Sequence, residues 1–308
     1  MSPVNGLHHV TAISSSAQGN VDFFGKHLGL RLVKKTVNFD DPGTYHLYFA
    51  DEVGTPGSVL TFFPWAGVPS GRAGTGEAGL TQFAVPRGTL DFWKARLEAA
   101  AAAPVIDETV FEERRLRSQD PDGFAFALVE SDDGRPGWAS NGIGADAAVK
   151  GFRGVTLTLA ETDATKALLT GLMGYSETER DGNLTRLVSP DAAAGVVDLL
   201  HAPDQRPAGQ GAGRVHHIAF RVADRQEQAA VRETLMAEGF QVTPQIDRNY
   251  FFAIYFRSPD GVLFEVATDE PGFATDEPVA TLGEALKLPD QHEHLRPLLE
   301  KRLPELVV

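Results

Sequence analysis

Pairs of adjacent histidines occur twice in the 308-residue chain, each at the head of a strand-like segment. The first pair, His8 and His9, stands in "GLHHVTAIS", and the second pair, His216 and His217, stands in "GRVHHIAF". An imidazole side chain can bind a metal ion or exchange a proton near neutral pH. Because a polar break and a helix-like segment follow both pairs, the recurrence indicates a repeated structural unit with histidines at equivalent positions.

The segment that follows the first pair defines the pattern of this unit. Val21, Phe24 and Leu28 recur at helical spacing after the first strand, and Gly29 is placed to end the helix. Three strand-like runs separated by turn residues come next. Further units begin at "LTQFAVP", "FRGVTLTLA" and "VHHIAFRVA", so the sequence predicts an α+β fold of four tandem β-α-β-β-β units.

A polar, glycine-rich stretch between the second and third units divides the chain into two halves. We expect an N-terminal domain at 1–135, a linker at 136–150 and a C-terminal domain at 151–270, with two units in each domain. The remaining residues, 271–308, are expected to form a C-terminal tail with one helix.

The composition limits the partners and the compartment. The chain carries a net charge of −14, is 42% hydrophobic and 23% charged, and contains no cysteine. Such acidity disfavours nucleic acid and anionic membranes, since both attract basic proteins. Without cysteine there is no disulfide, no thiolate nucleophile and no cysteine-based zinc site. Because neither a basic, apolar leader nor a long apolar run is present, we expect a cytoplasmic protein without a signal peptide or membrane span.

Tandem units of this kind resemble the vicinal oxygen chelate superfamily, which includes glyoxalases, extradiol dioxygenases and antibiotic-resistance proteins. The resemblance covers nearly the whole chain. It implies two domains whose units pair into cup-shaped mixed sheets. It also implies that residues on the first and last strands of the units hold a divalent metal ion inside a cup.

An alignment of the four units locates the residues that could be ligands. In the outer units, His9, His217 and Glu265 occupy the positions that the resemblance assigns to the metal. The corresponding residues elsewhere are Gln82, Gly154, Phe62, Ala127 and either Leu199 or Asp198. We therefore expect one metal site in the outer units. The cup of the inner units is expected to hold no metal and to be filled by side chains such as Trp93 or Phe126.

Strand alternation selects one histidine of each pair. His9 and Thr11 share one face of the first strand, and small or polar neighbours suit the wall of a cavity. The same argument selects His217 in the fourth unit. His8 and His216 lie on the opposite faces, where they are expected to support the ligands from behind.

The ligand types indicate the metal chemistry. Two imidazoles and one carboxylate, with Phe62 at the fourth position, leave coordination positions open. This set is typical of non-haem Fe(II) enzymes that bind a substrate and oxygen together. Mn(II) suits the same ligands, and Ni or Zn compete for them during purification because they bind such ligands more tightly.

A finer resemblance narrows the reaction. The strings "YHLYFADEVGTPG", "HHIAF" and "RNYFFAIYFRSPDGVLFEVATDEPGF" are similar to those of hydroquinone-type ring-cleaving dioxygenases. The resemblance implies a small aromatic diol and O2 as partners, and we expect the chain to be able to form a homodimer. It also implies that the metal ligands are His9, His217 and Glu265. The groups that surround the metal site would be Arg248, Tyr255, Thr11, His8 and His216.

Two other functions compete with this interpretation. A glyoxalase-like isomerase or thiol transferase would use a redox-inert metal and would need a fourth ligand, such as Asp198 or Glu52. A metal-free small-molecule binding protein would need no metal-binding residues, and the presence of three such residues argues against this function.

Overall fold

A computed structural model describes residues 4–100, 103–190 and 192–308 of the chain. The first unit consists of β1 (Leu7–Ser14), helix α1 (Ala17–Asn20) with the π-helical turn Val21–His27, β2 (Arg31–Val37), β3 (Tyr45–Ala50) and β4 (Val59–Pro64). The second unit consists of β5 (Glu77–Val85), α2 (Leu90–Ala99), β6 (Ile106–Val110), β7 (Glu113–Gln119) and β8 (Ala125–Glu130).

The third and fourth units repeat this order. The third unit consists of β9 (Phe152–Leu159), α3 (Asp163–Gly171), β10 (Ser176–Asp181), β11 (Leu184–Val188) and β12 (Val196–His201). The fourth unit consists of β13 (Val215–Val222), α4 (Arg225–Ala237), β14 (Ile246–Asp247), β15 (Phe251–Arg257) and β16 (Leu263–Pro271). The four β-α-β-β-β units predicted from the sequence are therefore confirmed.

Hydrogen bonding groups the units into two eight-stranded mixed sheets. One sheet has the order β14-β15-β16-β13-β1-β4-β3-β2, and the other has the order β10-β11-β12-β9-β5-β8-β7-β6. The first sheet thus joins the first and fourth units through β1 and β13, which pair antiparallel. The second sheet joins the two inner units through β5 and β9.

The two curled sheets confirm the predicted α+β class of two tandem vicinal oxygen chelate domains. The predicted halves, 1–135 and 151–270, each contribute one unit to each sheet. Their boundaries stay a proposal about the division of the chain, because the sheets are assembled across that division.

Aromatic side chains on the helix-covered faces connect the sheets. Phe24 of the π-helical turn lies 4.6 Å from Phe62 of β4 and 5.8 Å from Phe124, which precedes β8, measured between ring centroids. The helix ends where the sequence predicted, since Gly29 adopts a positive φ of 70°. This packing leaves the opposite, concave faces of the strands free for polar side chains.

The C-terminal tail runs along the first unit and ends in α5 (Arg296–Arg302), preceded by 3-10 turns at Phe273–Thr275, Val279–Thr281 and Asp290–Leu295. Lys34 of β2 is fully buried and forms ion pairs with Asp276 and Glu277 of this tail. A buried ammonium group needs such partners, so the tail belongs to the fold of the first sheet. Within the described ranges, every helix is too short or too polar to cross a lipid bilayer.

Candidate metal centre and cavity

The strand register of the first sheet brings the predicted ligands together. Across the β1–β13 pair, His9 lies opposite Ala219, and across the β13–β16 pair Ala219 lies opposite Glu265. Tyr255 of β15 follows next, opposite Glu265. Because the side chain of Ala219 is small, the row leaves a space between the imidazole of His9 and the carboxylate of Glu265.

His217 enters the same space from the neighbouring row, where it lies opposite Thr11. The Nε2 atoms of His9 and His217 are 3.3 Å apart, and Glu265 Oε2 lies 3.3 Å from the first and 2.9 Å from the second. All three side chains are buried. They form the one group of three metal-capable residues found in the described part of the chain.

The carboxylate of Glu265 identifies what this space can hold. Neither oxygen has a hydrogen-bond partner of good geometry among residues 4–100, 103–190 and 192–308, although both oxygens are buried. Burial opposes ionisation of Glu265, but attraction to His9 and His217 outweighs it and holds the pKa of the carboxyl well below its usual range. A buried anion facing two imidazole nitrogens fits a divalent cation, which these three residues could hold.

Each ligand histidine is supported by the other histidine of its pair. His8 Nδ1 lies 3.0 Å from His9 Nδ1, and His216 Nδ1 lies 2.8 Å from His217 Nδ1. These contacts occupy the Nδ1 atoms and leave the Nε2 atoms facing Glu265, an arrangement that orients imidazole ligands in metal sites. Burial lowers the pKa of His8 well below its usual value, and burial together with His217 lowers the pKa of His216 to about 3.

The prediction that Phe62 occupies the fourth position of the cup is wrong. Thr61, not Phe62, lies opposite Thr11 in the β1–β4 register. Phe62 points to the other face and packs against Phe24, because strand neighbours alternate between faces. The Thr61 hydroxyl donates to Thr11 Oγ1 at 2.8 Å.

A cavity of about 410 Å³ opens directly above the three residues. His9, His217 and Glu265 line its floor. Its aromatic walls are formed by Phe39, Tyr48, Phe63, Trp65, Phe251 and Tyr255. Flat, largely apolar walls around a polar floor suit a small aromatic ligand, because the walls can stack on a ring and the floor can bind its substituents.

Arg248 and Tyr255, which were predicted to lie near the metal site, both line this cavity. Arg248 Nε donates to the Tyr255 hydroxyl at 3.3 Å, and its guanidinium lies 3.8 Å from the exposed Asp40 carboxylate. Burial and then the charge of Glu265 raise the pKa of Tyr255 well above its usual value, so the phenol is protonated at neutral pH. Its own proton stays available, because Arg248 occupies only a lone pair of the oxygen.

Two polar residues of the cavity wall, His46 and Tyr48, were not among the residues predicted from the sequence. Both lie on one face of β3, and their side chains are hydrogen bonded to each other at 2.9 Å. Their alternation in "YHLYFA" could have revealed that they share one face of the strand. Nothing in the local sequence, however, indicates which strand they approach.

The residues considered as a fourth ligand lie elsewhere. Glu52 is exposed in the loop after β3. Asp198 belongs to the second sheet, where it lies opposite Arg186 and accepts hydrogen bonds from its guanidinium at 2.8 and 3.0 Å. In the register of the second sheet, Asp198 occupies the position equivalent to Glu265 of the first sheet, and Arg186 occupies the position equivalent to Tyr255.

The concave face of the second sheet is therefore occupied by an internal ion pair. Gln82 donates to Asp198 at 2.9 Å, and Arg186 also binds Glu113 at 2.6 Å. The expectation that Trp93 or Phe126 fills this face is wrong. Phe126 contacts Phe23 of the π-helical turn and Trp93 lies on α2 with its indole donating to Ala147, so both pack on the helix-covered side. The absence of a metal ion from the space bounded by Gln82, Ala127 and Gly154 stays a prediction.

Replacing Arg186 with Met should lower the free energy of unfolding by about 3–5 kcal/mol, because the buried Asp198 carboxylate would lose its compensating charge. Urea unfolding of the metal-free protein measures the loss. The double variant Arg186→Met/Asp198→Leu removes both charges, while Arg153 still binds Glu113 at 2.6 Å. It should recover most of the stability. A single variant as stable as the wild type would show that the pair is not needed.

The comparisons with known proteins agree with the fold. A model of the Glyoxalase/Bleomycin resistance protein/Dioxygenase superfamily matches residues 6–128 and 152–266. MhqO of Bacillus subtilis (strain 168) is 46% identical to this chain over 300 residues. Its name describes it provisionally as a ring-cleaving dioxygenase. The match covers 97% of this chain and 95% of MhqO.

Two further similarities extend over the full length. The chlorohydroquinone/hydroquinone 1,2-dioxygenase of Sphingobium indicum is 36% identical over 315 residues, which cover 99% of this chain and 98% of that enzyme. A crystal structure from Bacillus subtilis subsp. subtilis str. 168, of a protein named provisionally as a dioxygenase, superposes with a TM-score of 0.97. It is 44% identical and covers 100% of this chain and 99% of that chain.

Proposed function

Since this chain belongs to the glyoxalase/bleomycin resistance protein/dioxygenase superfamily, we propose that it is an Fe(II)-dependent ring-cleaving dioxygenase acting on a hydroquinone- or catechol-type diol. One observation carries the proposal above the others. Two imidazole nitrogens and the unpartnered carboxylate of Glu265 meet on the floor of an aromatic-walled cavity.

His9, His217 and Glu265 are the proposed ligands. Bound Fe(II) would supply open positions at which an aromatic diol and dioxygen meet. Mn(II) fits the same nitrogen and oxygen donors, and Fe(II) is our proposal because three protein ligands leave room for two further molecules. His8 and His216 hold the ligand rings in place through their Nδ1 contacts of 3.0 and 2.8 Å.

Arg248 and Tyr255 are proposed to act on the substrate from the cavity wall. The guanidinium of Arg248 carries a permanent charge that stabilises an oxyanion of the diol or of the opened ring. Tyr255, beside Glu265, presents a protonated phenol as a hydrogen-bond donor or general acid. Arg248 also fixes the phenol through its Nε contact of 3.3 Å.

The cavity supports a small aromatic diol as the substrate class. Phe251 lies against His9 with ring centroids 4.9 Å apart, so an aromatic wall reaches down to the ligands. A ring bound there would stack on aromatic side chains while its hydroxyl groups point to the floor. The name of the Sphingobium indicum relative, a chlorohydroquinone/hydroquinone 1,2-dioxygenase, supports hydroquinones as the first compounds to test.

Anaerobic loading of the metal-free protein with Fe(II), followed by oxygen uptake with a panel of hydroquinones and catechols, tests the proposal. We expect consumption of one molecule of dioxygen per ring opened, and only in the iron-loaded protein. The Zn(II)-loaded protein is the control, since zinc has no redox chemistry. Iron-loaded protein that takes up no oxygen with any diol would refute the proposed activity.

The cellular compartment, the macromolecular partners and the oligomeric state also stay predictions. A protein without cysteine is compatible with the reducing cytoplasm, where we place the enzyme. We further propose that it acts without nucleic acid or membrane partners and that it can form a homodimer. Size-exclusion chromatography with light scattering measures the oligomeric state directly.

A further inference from the structure

Four polar side chains form a continuous hydrogen-bonded chain that ends beside the metal centre, and they are Tyr48, His46, Thr61 and Thr11. The Tyr48 hydroxyl lies 2.9 Å from His46 Nδ1. His46 Nε2 lies 2.9 Å from Thr61 Oγ1. Thr61 Oγ1 donates to Thr11 Oγ1 at 2.8 Å. Tyr48, Thr61 and Thr11 lie in one row across the first sheet, and His46 bridges Tyr48 and Thr61 from the neighbouring row of β3.

The donation from Thr61 to Thr11 sets the direction of the whole chain. A threonine hydroxyl has one proton, and that of Thr61 is donated to Thr11. The Thr61 oxygen must therefore accept from His46, which places the imidazole proton on Nε2. In a neutral ring Nδ1 is then unprotonated, so it accepts from the Tyr48 hydroxyl.

The surroundings of the two ring groups keep both of them uncharged. Burial, followed by the nearby His9 and His217, lowers the pKa of His46 well below its usual value, so the imidazole is neutral. Burial also raises the pKa of Tyr48, so its phenol keeps the proton that it donates. Phe63 packs against the His46 ring with centroids 4.4 Å apart, which restricts its rotation.

The far end of the chain is the hydroxyl of Thr11. Its oxygen accepts from Thr61, and in the described part of the molecule no side-chain hydrogen bond uses its own proton. Thr11 lies two residues after His9 on the same face of β1 and opposite His217 in the register. The Thr11 hydroxyl therefore lies on the face of the first sheet that carries both ligand histidines.

We propose that Tyr48, His46 and Thr61 are positioning residues that fix the Thr11 hydroxyl as a hydrogen-bond donor toward the metal centre. The role rests on the proposed function, since oxygen atoms of the diol and of dioxygen gain negative charge there during ring cleavage. A fixed donor favours such charge without reorganisation during the reaction. His46 acts only through Thr61, because both ring nitrogens already have partners.

Two amide substitutions at His46 test the direction of the chain. His46→Gln places an amide N–H near the position of Nε2 and can still donate to Thr61. His46→Asn places an amide oxygen near the position of Nδ1, so it keeps the Tyr48 contact and loses the donor to Thr61. In the iron-loaded protein we expect His46→Asn to lower kcat by about 10–100-fold and His46→Gln to retain most of it. Equal kcat values, or the reverse order, would overturn the proposal.

Thr61→Val isolates the link to Thr11. We expect kcat to fall by about 10–100-fold while KM and iron content stay at wild-type values, because the shape is kept and only the hydroxyl that links His46 to Thr11 is lost. Thr81→Val in the second sheet is the matched control, since the buried Thr81 hydroxyl has no hydrogen-bond partner in the described residues. Wild-type kcat in Thr61→Val would overturn the role of the chain.

Nitrogen-15 NMR of the metal-free protein reads the His46 tautomer without any turnover. We expect only the Nε2–H tautomer in the wild type. In Tyr48→Phe we expect a mixture of both tautomers, because no hydroxyl then donates to Nδ1. A wild-type ring protonated on Nδ1 would overturn the direction. If the iron-loaded enzyme oxidises no diol, the proposed function fails, and these spectra alone then decide the direction of the chain.

Discussion

Glu265→Gln should abolish stable binding of Fe(II), and with it oxygen uptake on hydroquinones. The substitution keeps the shape of the side chain and removes its charge, so two neutral imidazoles remain to hold a dication. The loss of affinity should exceed the roughly 10–100-fold that follows from removing a group that only supports a ligand. Metal analysis after anaerobic loading measures the iron content, and an oxygen electrode measures turnover.

Asp198→Asn provides the matched control for this prediction. Asp198 stands at the equivalent place in the second sheet, and the change removes a buried carboxylate there as well. Its iron content should equal that of the wild type, although its stability should fall because Arg186 loses a partner. Full iron content and activity in Glu265→Gln would exclude the proposed ligand set and the dioxygenase mechanism together.

Tyr255→Phe should lower turnover by roughly 10²–10⁴-fold while the iron content and the fold stay unchanged. The phenol lies beside Glu265 in the register, and Arg248 donates to its oxygen, so its proton points elsewhere within the cavity. Because burial raises the pKa of Tyr255, the phenol does not ionise near neutral pH. The ratio of variant to wild-type turnover should therefore be constant across the neutral range.

Tyr175→Phe is the control for the loss of a buried tyrosine hydroxyl. Tyr175 does not line the cavity and is buried against Phe220, and its hydroxyl has no hydrogen-bond partner in the described ranges. Removing it should leave turnover unchanged. Wild-type turnover in iron-loaded Tyr255→Phe would remove Tyr255 from the proposed reaction, whereas a ratio that changes with neutral pH would contradict its protonated state.

The sequence predicted the features that depend on short-range periodicity. The four units follow from strand and helix spacing, and each begins with a strand that alternates between two faces. Alternation and the small or polar neighbours on one face favoured His9 and His217, in line with the family resemblance, and the glycine turn before β16 aligned Glu265 with them. These assignments needed no knowledge of which strands pair, because side-chain direction is fixed by the backbone of one strand.

Tertiary structure alone decided which strands meet and in which register. A shift by one residue moves every side chain of a strand to its other face, so the sequence alignment gave Phe62 where the register gives Thr61. Asp198 lies three positions after Gly195, whereas Glu265 lies four positions after Gly261, so spacing left Leu199 and Asp198 undecided. The pairing of β1 with β13, the Arg186 ion pair and the His46 chain all join distant segments, and no local pattern encodes such contacts.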